Sequence, residues 1–362
     1  MRRIVIPLLL VMCAAASGRA QKKTWAALLY ATQSYMQHHL WNPSTGNYVL
    51  RADYPNASGS DSWGITIVLD ADAYMVSEGL MTPEALKQYF VTSSMLYPKT
   101  NGMTGARIIG RRGDQIYVGG DDDLQWCAVL AHCFLVTKDS DYLSAAESSF
   151  KGLLDLGFWM NGVSKGWMWN TADRRPDGVS TAYGALAAAR LYEITGENVY
   201  KQWTVASLNA LRTPQVGFFP RDMMVAADAA LTAFEVSQDL SLHTRAMELL
   251  NSAVTGGLAM LHHEGPGFRN PTDIGDLADG LLHFYEVTHT ARYKSLAEKF
   301  ILYFAGRRTL PDIAERGFFS QYDTKGEPMM QGTYLGIPDT VPYLSEVAEM
   351  LKLFAIAEKS DK

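Results

Sequence analysis

Between residues 24 and 357 the apolar positions recur at steps of three and four, and the two-residue alternation of half-buried strands is nearly absent. The spacing predicts twelve helices, over 24–40, 63–78, 82–95, 121–137, 140–156, 178–195, 198–211, 222–237, 240–262, 273–289, 292–306 and 334–357. One turn recurs among them. Residues 135–142 read Leu-Val-Thr-Lys-Asp-Ser-Asp-Tyr, and 285–293 read Tyr-Glu-Val-Thr-His-Thr-Ala-Arg-Tyr. Residues 192–200 give a third copy and 234–240 a fainter one. Copies at such intervals mark a helical-hairpin repeat. The other connections are longer and pair glycine with aromatics, at 41–48, 166–170, 217–222, 265–269 and 317–319. Short turns at one end and long aromatic loops at the other predict a closed, all-α ring of six helical hairpins. No Ser/Pro-rich linker or composition shift divides the chain after its first twenty residues, so 21–362 is expected to form a single domain.

The segment with the most chemistry is Gly119-Gly120-Asp121-Asp122-Asp123-Leu124-Gln125-Trp126. Three consecutive carboxylates open a helix whose apolar stripe runs on through Trp126, Val129, Leu130 and Cys133. One aspartate is explained as a cap, since a helix start offers free N–H groups and favours negative charge. Three are not, because each raises its neighbours' proton affinity. Two carboxyl groups a few ångströms apart, one protonated and one charged, are what glycosidic bond cleavage needs. Spacing alone leaves open which two of the three react. The start of this helix would face the long-loop end of the ring, among the aromatic loops.

Composition and the termini narrow the setting. A net charge of −6 excludes a broadly basic nucleic-acid binder. Arg2 and Arg3, the apolar run 4–16 and the small residues 18–20 read as a secretory signal over 1–20. Its apolar run is short for a membrane span, and no later stretch is long enough without charges or glycines. The expected mature protein is therefore secreted, extracellular or wall-associated, monomeric and not held in a membrane. Cys127 and Cys133 lie on one predicted helix with a rise of about 9 Å between them, too far for a mutual disulfide. Asn56-Ala57-Ser58 is a glycosylation sequon. His262-His263-Glu264 is the nearest approach to a metal cluster, but adjacent histidines on a helix diverge and no partner motif accompanies them. The chain has no phosphate loop, dinucleotide fingerprint or Gly-x-Ser-x-Gly elbow, so no metal or cofactor is expected.

The Asp122-Asp123-Leu124-Gln125-Trp126 run and the helix behind it resemble the paired-aspartate motif of glycoside hydrolase family 76, the endo-α-1,6-mannanases. Gly166-Trp167-Met168-Trp169-Asn170 resembles that family's Gly-Ile-Trp-Trp-Asn loop, and Ser180 to Tyr192 its next helix. The likeness is good over about 115–205. It departs at Phe218-Phe219-Pro220-Arg221-Asp222, where the family has a Trp-Thr-Tyr-Asn-Gln-Gly-like stretch. The resemblance implies an (α/α)6 barrel and a retaining hydrolysis of α-mannan, with Asp122 as nucleophile and Asp123 as general acid/base. Asp121, Trp126, Trp167, Trp169, Asn170, Phe219, Arg221 and Asp276 are then the candidates for binding a polysaccharide or oligosaccharide substrate. Two alternatives stand beside it: another (α/α)6 enzyme such as a sugar epimerase or unsaturated-uronide hydrolase, and a catalytically silent carbohydrate-binding barrel.

Overall fold

The structure, a computed structural model, describes residues 24–51, 62–102, 104–112, 114–162, 164–212, 219–262, 270–319, 322, 333–334, 337–338 and 342–361. The segment over 1–20 expected to be a secretory signal, the sequon at Asn56, His263, Glu264 and Phe218 lie outside the described residues.

Thirteen α-helices stand among them. They are α1 (Trp25–Tyr35), α2 (Ser62–Ser77), α3 (Pro83–Met95), α4 (Gly120–Thr137), α5 (Ser140–Asp155), α6 (Gly178–Thr195), α7 (Asn198–Ala210), α8 (Pro220–Ser237), α9 (Leu240–His262), α10 (Pro271–Thr288), α11 (Ala291–Ala305), α12 (Leu310–Arg316) and α13 (Leu344–Ser360). A π-helical turn, Met36–Leu40, extends α1. Packing closes them into a ring. Helix α2 lies against α4, α4 against α6, α6 against α8, α8 against α10, α10 against α13, and α13 back against α2. The outer layer is α3, α5, α7, α9 and α11, with α1 packed on α13 to complete the sixth pair. The chain is thus an (α/α)6 barrel, as the sequence pattern and the resemblance both predict.

The two layers differ in sequence for a physical reason. An outer helix buries one stripe: α5 hides Tyr142, Ala146, Ser149, Phe150 and Leu153, at three- and four-residue steps. An inner helix is enclosed on nearly every side, and small residues let it approach its neighbours closely. In α6 every residue from Ser180 to Ala189 is buried, five of them alanines. Cys127 and Cys133 are free thiols buried on α4.

Four handovers from an inner to an outer helix share one turn. Thr137, Thr195, Ser237 and Thr288 each donate a hydroxyl hydrogen bond to the carbonyl four residues back, at 2.6–2.7 Å. Each also accepts the amide two residues on, at 3.1–3.3 Å. The residue between adopts the left-handed conformation: Lys138, Gly196, Gln238 and His289. This is the structural content of the repeated sequence turn.

Two expectations are corrected. The loops hold five two-stranded antiparallel ribbons: β1 (Trp41–Asn42) with β2 (Asn47–Tyr48), β3 (Lys99–Asn101) with β4 (Thr104–Arg107), β5 (Gly110–Arg112) with β6 (Gln115–Tyr117), β7 (Trp159–Asn161) with β8 (Lys165–Trp167), and β9 (Thr333–Tyr334) with β10 (Ile337–Pro338). Strands of two to four residues are too short to show alternation. The last helix begins at Leu344 and not at residue 334, because Pro338 and Pro342 interrupt the run, and the short α12 precedes it.

Candidate active site

The inner helices run parallel, so their N-termini gather at one end, and side chains there bridge successive helices. Ser62 of α2 reaches Asp122 of α4, Arg221 of α8 reaches Asp273 of α10, and Thr272 of α10 reaches Glu346 of α13. The acidic run sits at this end. Gly119 caps α4 with extended backbone and no side chain, and Gly120 is the first helical residue. Crowding by backbone requires the second glycine, and a side chain at the first would displace the Asp122 carboxylate. A Cβ on Gly120 would collide with the carbonyl of Met168, and one on Gly119 with the carboxylate of Asp122. The backbone of the 168–170 segment can therefore lie directly on the start of α4, where Gly119 bridges to Asn170.

The three aspartates have different surroundings. Asp121 is partly accessible and accepts a hydrogen bond from Trp169 Nε1 at 3.2 Å. Burial, and then the charge of Asp122, push its carboxyl up to about 8. Asp122 is also partly accessible and accepts from Ser62 Oγ at 2.6 Å. Burial raises its pKa above the ordinary carboxylate range, against the pull of Ser62 and of the Arg107 guanidinium. Tyr117 of β6 stands close enough to both charges for its own proton to be held more tightly, after the effect of burial.

Asp123 is wholly enclosed. Its two oxygens accept from Arg107 Nε at 2.6 Å and from the Arg107 amide at 2.7 Å. Neither group of this ion pair has any solvent exposure. The same guanidinium donates to the Asp122 carbonyl at 2.7 Å and lies over the Trp126 ring, 4.3 Å from its centroid. The structure therefore separates the two residues expected to react. Asp122 stands at the surface of the site, and Asp123 lies beneath it as half of a buried clamp. The local motif gave no sign of this, because the partner comes from β4.

The other expected site residues divide in the same way. Trp169 and Phe219 are exposed, at 37% and 46%. Arg221 pairs with Asp273 at 2.6 Å and Asp222 at 3.3 Å, at the same end of the barrel. Trp167 is a core residue, completely buried, with Nε1 donating to Ser207 and its ring among Phe150, Trp159 and Trp203. Trp126 is buried too, beneath Arg107. Asn170 turns its side chain inward to accept the amides of Ala172 and Asp173, so it shapes the loop. Trp126, Trp167 and Asn170, expected among the substrate-binding residues, are thus buried in this structure. Asp177 caps α6, as expected for an aspartate before a helix, and Asn270 caps α10.

Asp276 lies deeper, in a charged network along the barrel axis that the sequence did not disclose. Lys352 Nζ is 2.9 Å from Glu349, 3.3 Å from Asp279, 3.6 Å from Asp276 and 3.9 Å from Asp70. Asp70 also pairs with His132, at 2.7 Å. Gln125 donates to Tyr183, and Tyr183 to Asp276, beside a cavity with room for about one water molecule. Burial holds the Asp276 and Glu349 carboxyls toward their neutral forms.

The described residues thus form a ring of six inner and six outer helices, with an acidic helix start at its loop-rich end. Compared with known proteins, the chain matches no family model and no curated protein. Solved structures do match. A family 76 glycoside hydrolase (mannosidase) from Bacteroides thetaiotaomicron is similar over 93% of this chain and 99% of its own, with a TM-score of 0.72 at 12% identity. An inactive α-1,6-mannanase variant from Salegentibacter, with two adjacent aspartates changed to asparagine, was solved with α-1,6-mannotriose. It matches over 93% of this chain and 99% of its own, with a TM-score of 0.66 at 12% identity. A cellobiose 2-epimerase from Spirochaeta thermophila matches over 93% and 96%, with a TM-score of 0.61 at 12% identity. At these identities the likeness is one of fold. Among the described residues no helix is long and apolar enough to cross a membrane.

Proposed function

We propose that this chain is a glycoside hydrolase acting on α-mannan, with Asp121 and Asp122 as its reacting pair. One observation carries the reading. These two adjacent carboxylates remain partly accessible and hold protons more tightly than usual, while Asp123 is fully occupied by Arg107. The pair is thus one residue earlier than the motif resemblance implies. The α-1,6-mannotriose complex of a fold relative altered at two adjacent aspartates supports an α-mannan substrate. The signal-like segment over 1–20 supports a secreted enzyme meeting that polymer outside the cell.

The charge of Asp122 raises the proton affinity of Asp121, so the two can hold one proton and one charge, the forms that the chemistry needs. Asp121, whose carboxyl is pushed up to about 8, carries the proton at neutral pH and gives it to the glycosidic oxygen. Asp122, the ionised member, attacks C1 as that bond breaks and forms a glycosyl ester. The departing chain leaves with the proton. Asp121, now a carboxylate, takes a proton from water as that water attacks C1. Configuration is retained, Asp122 is released and Asp121 is protonated again. Trp169, exposed beside Asp121, offers an aromatic face to the sugar.

Sugar release from an α-mannan panel tests the reading. Asp122→Ala is expected to lose several orders of magnitude in turnover, with azide restoring part of it as an inverted product. Asp121→Ala is expected to lose about 10²–10⁴-fold on mannan yet still cleave an activated aryl glycoside rapidly. Full mannan activity in Asp121→Ala, alongside proton-transfer loss in a folded Asp123→Asn, would return the pair to Asp122 and Asp123.

A further inference from the structure

We propose that Ser62 is a positioning residue for this reaction, holding one oxygen of Asp122 through its hydroxyl so that the other is presented to the substrate. The inference rests on the reading of Asp122 as the attacking group. Ser62 is the first residue of α2, almost fully buried, and its Oγ donates across the helix boundary to Asp122 Oδ1 at 2.6 Å. Its backbone is fixed as well, since Thr66 donates its hydroxyl to the Ser62 carbonyl at 2.7 Å. Asp122 is then held at two points from outside its own helix, its side chain by Ser62 and its carbonyl by Arg107.

The chemistry favours a hydroxyl at this place. A cation paired directly with the carboxylate would orient it but draw off the charge that must attack. A neutral donor fixes the rotamer and leaves the second oxygen's lone pairs free. The charged and titratable groups facing Asp122 are Arg107 from β4, Tyr117 from β6, and Asp121 and Asp123 from α4 itself. Among the described residues, Ser62 is the one that donates to its carboxylate. The carboxylates beside it oppose ionisation, and Ser62 favours it. Removing the hydroxyl therefore raises the pH at which Asp122 loses its proton.

The test is the pH profile of kcat and KM on mannan oligosaccharides for Ser62→Ala and Ser62→Thr. In Ser62→Ala the acidic limb is expected to move up by about one pH unit, with kcat down about tenfold and KM little changed. Threonine, which keeps the hydroxyl, is expected to restore both. An unmoved limb and an unchanged kcat in folded Ser62→Ala overturn the proposal. Movement of the alkaline limb instead keeps the Ser62 contact and exchanges the roles of Asp121 and Asp122. Retained activity in Asp122→Ala is a separate failure, and it removes the reading on which the proposal rests.

Discussion

At the end of the barrel where α4, α6, α8 and α10 hand over to their outer partners, one turn is used four times. At the other end the inner helices start in several ways, and only α8 and α10 share an opening, a proline followed two residues later by an aspartate. Helix α4 begins on two bare glycines, α6 on Asp177, α8 on Pro220 with Asp222 in its first turn, and α10 on Asn270. The repeated turn satisfies its carbonyls and amides within seven residues of chain. The varied end depends on distant partners: Ser62 lies 60 residues from Asp122, Arg107 16 from Asp123, and Trp169 48 from Asp121. Contacts that only close the fold can be copied from hairpin to hairpin. A site draws different side chains from its elements, so the starts vary more than the turns do.

The comparison can be broken most forcefully at the clamp. Asp123→Ala leaves the Arg107 charge buried without its partner and is expected to cost about 3–5 kcal/mol of stability. Urea unfolding measures it, and a loss under about 1 kcal/mol would mean that Asp123 is not held as described. A change of smaller size comes from pH. The Asp121 carboxyl is raised to about 8 in the fold, so its contribution is fully present below its unfolded pKa and is lost as pH rises through about 8. Wild-type melting temperature is expected to fall by a few degrees across that window relative to Asp121→Asn. Parallel pH curves for the two proteins would show that Asp121 titrates normally.

The smallest effect belongs to the repeated end. Lys138, Gln238 and His289 hold left-handed backbone conformations that glycine adopts freely, as Gly196 does in the fourth copy. Lys138→Gly is expected to stabilise by about 0.5–1 kcal/mol, read by urea unfolding, and to leave kcat unchanged. Destabilisation by this variant would mean that the lysine side chain contributes more there than its backbone costs.

What the chain determined alone was whatever repeats locally. Three- and four-residue periodicity, the four Thr/Ser turns and the long loops between them defined helices, hairpins and a ring before any contact was known. The acidic run marked the place of the candidate site, because three charges at one helix start exceed what capping requires. Tertiary structure decided which of those carboxylates meets solvent. That choice is made by Arg107 and Ser62, brought from other elements, and no local spacing encodes their approach. It also turned Trp167 inward, where a neighbouring aromatic cluster and Ser207 receive it, and left Trp169 outward, although only Met168 separates them. Adjacent residues share a sequence context, but burial and charge pairing depend on what the rest of the fold brings to each of them.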